Sequence, residues 1–125
     1  MENELKKRRF FDLAKKLSYK SEYHHKLGAV VVKKGKVIGI GFNKPNKTHT
    51  KATTPFKTIH AEFDAIIGVS KEDLIGATIY VYRQHADGSP ASSKPCASCE
   101  NLIRLAGISK VCYTGNRTYE EYNNV

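Results

Sequence analysis

The chain's 125 residues are 40% hydrophobic and 26% charged, with a net charge of +9, a make-up that describes one globular domain spanning 1–125 with a core that needs no staples. No apolar run approaches the ~20 residues of a membrane span, and the basic N-terminus lacks the apolar stretch and small-residue cleavage site of a signal peptide. Three cysteines, an odd number, point to a reducing compartment, and the expected location is the cytoplasm.

The segment NELKKRRFFDLAKKLSYKS spaces Leu5, Phe10, Leu13 and Leu17 by threes and fours, with a five-residue gap after Leu5, which predicts an amphipathic helix. Leu27–Val32 is a β-branched run and Val37–Phe42 a second one. The turn Lys33–Lys36 around Gly35 joins them as a hairpin. Asn43–Thr58, rich in Pro, Thr, Asn and Lys, reads as a long loop, and loops of that length often carry function. IHAEFDAIIGV predicts a short helix stopped at Gly68, and Ala77–Arg83 a strand. Gln84–Lys94 reads as a polar loop with Asp87-Gly88 turn chemistry. A helix runs from Pro95 to Gly107, with proline first and glycine last, followed by a strand over Ser109–Thr114. The tail GNRTYEEYNNV offers at most a helical turn or two. Strands that alternate with helices after a hairpin imply an α/β fold, helices on both sides of one mixed sheet.

The charge is uneven. Residues 1–57 hold 15 Lys/Arg against 4 Asp/Glu, while residues 58–125 hold 6 against 8. A basic half suits a polyanionic partner or a phosphorylated substrate; a solvated Lys-rich surface is the plain alternative.

Two cysteines lie in SKPCASCENLI. Such a pair is a redox couple, half of a zinc site, or chance. His60 and Glu62 sharpen the choice. Both IHAE and PCASC open predicted helices, and in a parallel arrangement both helix starts face one end of the sheet. His60, Cys96 and Cys99 then converge, with both thiolates favoured by the positive helix ends. Three N and S ligands leave one tetrahedral position open, as in a catalytic zinc site and unlike a closed structural one. A water there has its pKa lowered to roughly 7, and Glu62, two residues from His60, is within reach to shuttle its proton. Cys112, in the apolar KVCY, reads as a small buried hydrophobe.

With His60-Ala61-Glu62 and Pro95-Cys96-Ala97-Ser98-Cys99 in this order, the chain resembles the zinc-dependent cytidine/deoxycytidylate deaminase superfamily. LGAVVVKKGKVIGIGFN is similar to that family's first hairpin and LAGISKVCYT to the stretch after its cysteine helix, so the resemblance runs from about Leu5 to Thr114. It implies a three-layer α-β-α, cytidine deaminase-like fold, and one zinc per chain on His60, Cys96 and Cys99. It implies that Glu62 takes a proton from the attacking water, protonates the ring nitrogen and assists loss of ammonia. Asn43 matches a sugar contact, the backbone of Ala61 a base contact, and Leu27 an apolar residue against the base face. A turn-forming asparagine is the competing reading for Asn43. Two departures from the family pattern, the inserted Gln84–Lys94 and the short tail, lie where substrate choice is made.

PCASCENLIRLAGI looks closer to the deoxycytidylate branch than to the tRNA-adenosine branch, which favours cytosine as the ring. The favoured substrate is a nucleoside monophosphate, its phosphate met by Lys44, Lys47, Lys51 and Lys57. The alternative is single-stranded DNA or RNA on the wider basic surface that includes Lys6–Arg9, with Tyr19, Tyr23, Phe42, Phe56 and Tyr82 as candidate stacking platforms. A free nucleoside or base analogue is the third possibility. A catalytically silent nucleic-acid-binding module of the same fold is a further reading, disfavoured by Glu62. No membrane partner is expected, and a homo-oligomer is possible. His24, His25, His49 and His85 read as surface or loop residues, with His85 nearest the cysteines in sequence.

Overall fold

The computed structural model describes residues 2–23, 25–45 and 58–123. Along the chain run α1 (Glu2–Ser18), β1 (Leu27–Lys33), β2 (Lys36–Phe42), β3 (Lys44–Pro45), β4 (Thr58–Ile59) and α2 (Ala61–Ile67). Then come α3 (Lys71–Leu74), β5 (Thr78–Gln84), β6 (Pro90–Ala91), α4 (Ala97–Leu105), β7 (Lys110–Gly115) and β8 (Thr118–Asn123). The main sheet has the order β2-β1-β5-β7-β8, with β6 added beside β5, and β3 and β4 form a separate two-stranded pair. Among the described residues only β5 and β7 pair in parallel; β1 is antiparallel to both β2 and β5. The sheet is mixed, as the pattern of strands and helices implies.

Strand alternation divides the core between the two faces. On one face Ala29, Val31, Ile79, Val81 and Val111 pack with Ala61, Ala65, Ile66 and Ile103 of α2 and α4. On the other, Val30, Val32, Tyr80, Tyr82 and Cys112 meet Phe10, Phe11, Ala14 and Leu17 of α1. The result is helix, sheet, helix. Cys112 is fully buried in this second cluster, as its apolar strand suggests. The stripe of α1 differs from the expected one: Leu5 is 73% exposed, and Phe11 takes a core place against Tyr80, ring centroids 5.3 Å apart. Phe10, Ala14 and Leu17 complete a face in steps of three and four, and Leu5 falls beyond its edge.

Two glycines set how closely the helices approach. A Cβ on Gly28 would stand 1.9 Å from the Ala14 carbonyl oxygen, and one on Gly41 would stand 2.4 Å from the Ala65 nitrogen. The sheet therefore meets α1 and α2 backbone to backbone at these points. The β1–β2 hairpin turns at Lys34 and Gly35, both at positive φ (52° and 78°), as a two-residue turn of primed type requires.

The tail is not helical. β8 pairs antiparallel with β7 from Gly115↔Thr118 to Lys110↔Asn123. Arg117, at φ 62°, makes the turn, and Tyr119 places its ring 4.8 Å from Phe11 of α1. The inserted Gln84–Lys94 is also more than a loop. Its β6 pairs with Arg83 and Gln84 at the end of β5, and Asp87 accepts from Ser89 in the expected turn. Of Asn43–Thr58, residues 46–57 lie outside the described residues. No helix among the described residues is long and apolar enough to cross a membrane.

Candidate active site

β2 and β5 run in the same direction because β1 lies between them antiparallel to both. The chain leaves both strands at the same end of the sheet, and α2 and α4 begin there. Their N-cap residues are His60 and Cys96. An N-cap side chain commonly accepts from its own helix's first free N–H groups. Neither does so here; instead the two side chains turn toward each other. The His60 Nδ1 atom lies 3.7 Å from Cys96 Sγ and 3.2 Å from Cys99 Sγ. All three potential ligand atoms lie within 4.8 Å of one another.

The donor set fits a zinc ion. One imidazole nitrogen and two thiols are the ligands zinc prefers, and bonds of about 2.0–2.3 Å at tetrahedral angles put N and S roughly 3.6 Å apart. Electrostatics agrees with the geometry. Burial first, then the neighbouring Glu62 and Cys96, push the Cys99 thiol well above its ordinary range. A thiol that binds a metal does so as the thiolate, so metal binding at Cys99 would release a proton.

Glu62 stands in the first turn of α2, only 4% exposed. Burial raises its carboxyl from 4.5 to about 7, opposed by its own backbone N–H and by a hydrogen bond with Cys99. The carboxyl thus touches the cluster from the side, hydrogen-bonded to one of its sulfurs.

His60, Ala61, Glu62, Cys96, Leu27 and Asn43 all line one cavity of about 320 Å³, within the usual range for small-molecule sites. The candidate ligand, proton-transfer, base-contact and sugar-contact residues named from the sequence all line that cavity, except Cys99, which lies against His60. Asn43 also has a structural task. Its Oδ1 accepts from the Leu27 N–H at 3.0 Å, and its Nδ2 donates to the His25 carbonyl at 2.7 Å. An amide side chain has two lone pairs and two N–H groups, so one of each remains for a ligand.

The cations expected at the site fare differently. Lys44 does not line the cavity: its Nζ pairs with Asp64 at 2.9 Å and lies over the Phe42 ring. Lys47, Lys51, Lys57, Phe56, His24 and His49 fall outside the described residues. Tyr82 is core, 1% exposed, and cannot serve as a stacking platform; Tyr19 is exposed. His85 pairs with Asn116 at 2.9 Å, away from the cavity wall.

Arg83, Ser92, Ser93 and Lys94, which have no role in the sequence reading, share the cavity wall, together with His25, read as a surface or loop residue. A buried polar clasp holds Ser93 there. Ser93 Oγ donates to the Val81 carbonyl at 2.8 Å, the Thr114 N–H donates to Ser93 Oγ at 2.7 Å, and the Ser93 N–H donates to the Thr114 carbonyl at 2.7 Å. The inserted segment is thereby pinned across β5 and β7 before it enters Cys96. Its one sequence signal was position, immediately before Pro95-Cys96.

Comparison with known proteins agrees with this centre. Residues 4–115 match the cytidine and deoxycytidylate deaminase zinc-binding region. The deoxycytidylate deaminase of Mycobacterium phage D29 is 34% identical over 108 residues, 70% of this chain and 77% of that protein. The dCMP deaminase of cyanophage S-TIM5, in its apo crystal structure, is 28% identical with a TM-score of 0.65, over 89% of this chain and 82% of that one. The riboflavin biosynthesis protein RibD of Aquifex aeolicus is 34% identical over 105 residues, but the match spans only 24% of its length. A cavity with a His/Cys/Cys cluster and a buried glutamate, on a mixed sheet between helices, is thus joined to a match over most of the sequence, and the chain belongs to the zinc-dependent cytidine and deoxycytidylate deaminase family.

Proposed function

We propose that this deaminase converts cytosine to uracil in a (deoxy)cytidine nucleotide, with the monophosphate as its substrate. The observation that carries the reading is the buried Glu62 carboxyl against the His60, Cys96 and Cys99 cluster, in one cavity wall with Leu27, Asn43 and Ala61. The phage D29 relative is a deoxycytidylate deaminase, and the S-TIM5 enzyme has been crystallised with dCMP and dUMP; both support a monophosphate.

His60, Cys96 and Cys99 would hold one zinc per chain, which when bound acts as a Lewis acid toward water. Glu62 accepts the proton that the attacking water gives up as its oxygen bonds to C4 of the ring. It delivers that proton to the ring nitrogen. It then carries the proton of the new C4 hydroxyl to the exocyclic amino group, so that the bond from C4 to that nitrogen breaks, ammonia leaves and a carbonyl remains. The Ala61 backbone hydrogen-bonds the base, Leu27 lies against its face, and Asn43 offers its remaining lone pair and N–H to the sugar. Glu62 also argues against a silent binding module, since a zinc scaffold needs no buried carboxylate beside it.

The test is uracil formation from dCMP, CMP, deoxycytidine, cytidine and single-stranded DNA and RNA, measured side by side. The expected result is the highest kcat/KM for a monophosphate. Turnover confined to a polynucleotide or to the free nucleosides would refute it. The polynucleotide reading keeps one observation in its favour: Lys6, Arg9, Lys16 and Lys20 are all exposed on and just after α1.

A further inference from the structure

The phosphate of a monophosphate needs cations within reach of the cavity, and Lys44, the described lysine of the basic loop, is spent on Asp64. Two other cations line the cavity. Arg83 sits at the end of β5, half-buried and paired in register with Leu27. Lys94 is exposed and lies two residues before Cys96. Among the described residues no carboxylate pairs with either of them. Positive charge on the wall of a cavity that no carboxylate of the protein engages directly is charge left for a ligand.

The guanidinium of Arg83 is held in place. Its Nη2 donates to His25 Nδ1 at 2.7 Å and its Nη1 approaches the Ser92 carbonyl at 3.4 Å. Because a guanidinium only donates, Nδ1 of His25 is the acceptor and the ring hydrogen sits on Nε2. Five N–H donors less these two leave three for an anion, in the planar fork that matches a phosphate. Its anchors come from both sides of the cavity: His25 from the approach to β1, and Ser92 from the inserted segment that Ser93 and Thr114 clasp to the sheet. The same clasp sets Lys94.

We propose that Arg83 and Lys94 form the phosphate subsite of this cavity and determine its preference for a 5′-monophosphate over the unphosphorylated nucleoside. The inference rests on the monophosphate reading above. A terminal monoester dianion fits a fixed fork plus a lysine at one cavity wall better than a run of diesters, which would call for cations spread along a track. The segment Gln84–Lys94 then acts as a specificity element. It supplies Lys94 and, through Ser92, orients Arg83.

The experiment is kcat/KM for dCMP and for deoxycytidine, and for a single-stranded oligonucleotide, with the zinc-loaded wild type and with Arg83→Gln, Arg83→Lys and Lys94→Ala. In the wild type dCMP is preferred. Arg83→Gln lowers the dCMP-to-deoxycytidine ratio by about 10- to 100-fold, the worth of one or two hydrogen bonds to a charged group. Arg83→Lys, which keeps charge but loses the fork, recovers part of the ratio, and Lys94→Ala lowers it severalfold. Lys94 is exposed, so its variant keeps the test standing if an Arg83 variant loses the fold. A wild-type preference for dCMP that survives both Arg83→Gln and Lys94→Ala overturns this inference alone. Equal loss on dCMP and deoxycytidine also overturns it, by assigning Arg83 a structural role. No preference in the wild type, or turnover of the oligonucleotide alone, overturns the monophosphate reading and this inference with it.

Discussion

The basic N-terminal part of the chain and the cavity end of the sheet make an instructive pair. Residues 1–57 hold 15 of the chain's 21 Lys/Arg, yet the cations on the cavity wall, Arg83 and Lys94, come from the less basic remainder. Several cations of the basic part serve the fold. Lys7 pairs with Glu121 of β8; Arg8 lies 4.6 Å from the Tyr119 ring centroid; the Lys33 ammonium donates to the Glu72 carbonyl at 3.0 Å; Lys44 of β3 pairs with Asp64 of α2. Charge summed along a sequence is therefore a poor guide to charge at a site. Topology decides which few cations stand next to the chemistry, and the rest fasten elements or face water.

This contrast breaks most visibly if the cavity end can be altered without loss. Cys99→Ser is expected to bring zinc content from about one per chain to near zero and to abolish turnover, since each ligand is one of only three. Elemental analysis of the purified variant checks this; full zinc retention would remove Cys99 from the centre. A smaller effect is expected on the other side. Replacing Lys6, Arg9 and Lys16 together by Ala should leave dCMP turnover within about twofold, as exposed charges remote from a site change little. Oligonucleotide binding measured against salt sharpens the point. Each phosphate neutralised contributes about −0.7 to the slope of log K against log salt, so four engaged cations would give roughly −3. The expected slope is near zero, and a steep one that the triple replacement flattens would assign the basic helix to a polynucleotide.

The smallest effect belongs to the tail. Lys7 and, at 3.3 Å, Lys110 hold the Glu121 carboxyl below its usual 4.5. A carboxylate depressed on folding stabilises the protein at pH values above its unfolded pKa, and that contribution is lost as pH falls through the folded value. Glu121→Gln should thus lower the melting temperature at pH 7 by about 1–4 °C, the scale of a partly exposed ion pair. The difference from wild type should shrink as pH drops below about 4. An unchanged difference at acid pH would show that Glu121 acts through packing.

The convergence of His60, Cys96 and Cys99 beside Glu62 is legible in the sequence because its signal is local: residue type, spacing and a helix start coincide within a few positions. The hairpin and the buried runs of β1 and β5 were legible because apolar alternation reports burial directly. β8 was not. Glu120 is exposed, and the neighbouring positions dock through the Tyr119 ring and the Glu121 carboxylate rather than through aliphatic side chains, so TYEEYN has no apolar period. The Gly115-Asn116 step before it is a hairpin signal that composition outweighed. The place of Arg83 was out of reach for a different reason. Its approach to His25 spans 58 residues and depends on β1 lying beside β5, a pairing that no local pattern encodes. Leu5 lies outside the packed face, and the five-residue gap between it and Phe10 is the one break in the three-and-four spacing of the stripe.

In the proposed reaction a buried carboxyl beside the His60, Cys96 and Cys99 cluster performs the proton transfers of deamination. Glu62→Gln tests it most directly, because the amide keeps the size of the side chain and removes the proton-accepting charge. Zinc content and melting temperature should remain close to wild type while kcat for dCMP falls on the order of 10²-fold or more. Near-normal turnover by a folded, zinc-loaded Glu62→Gln protein would contradict the account.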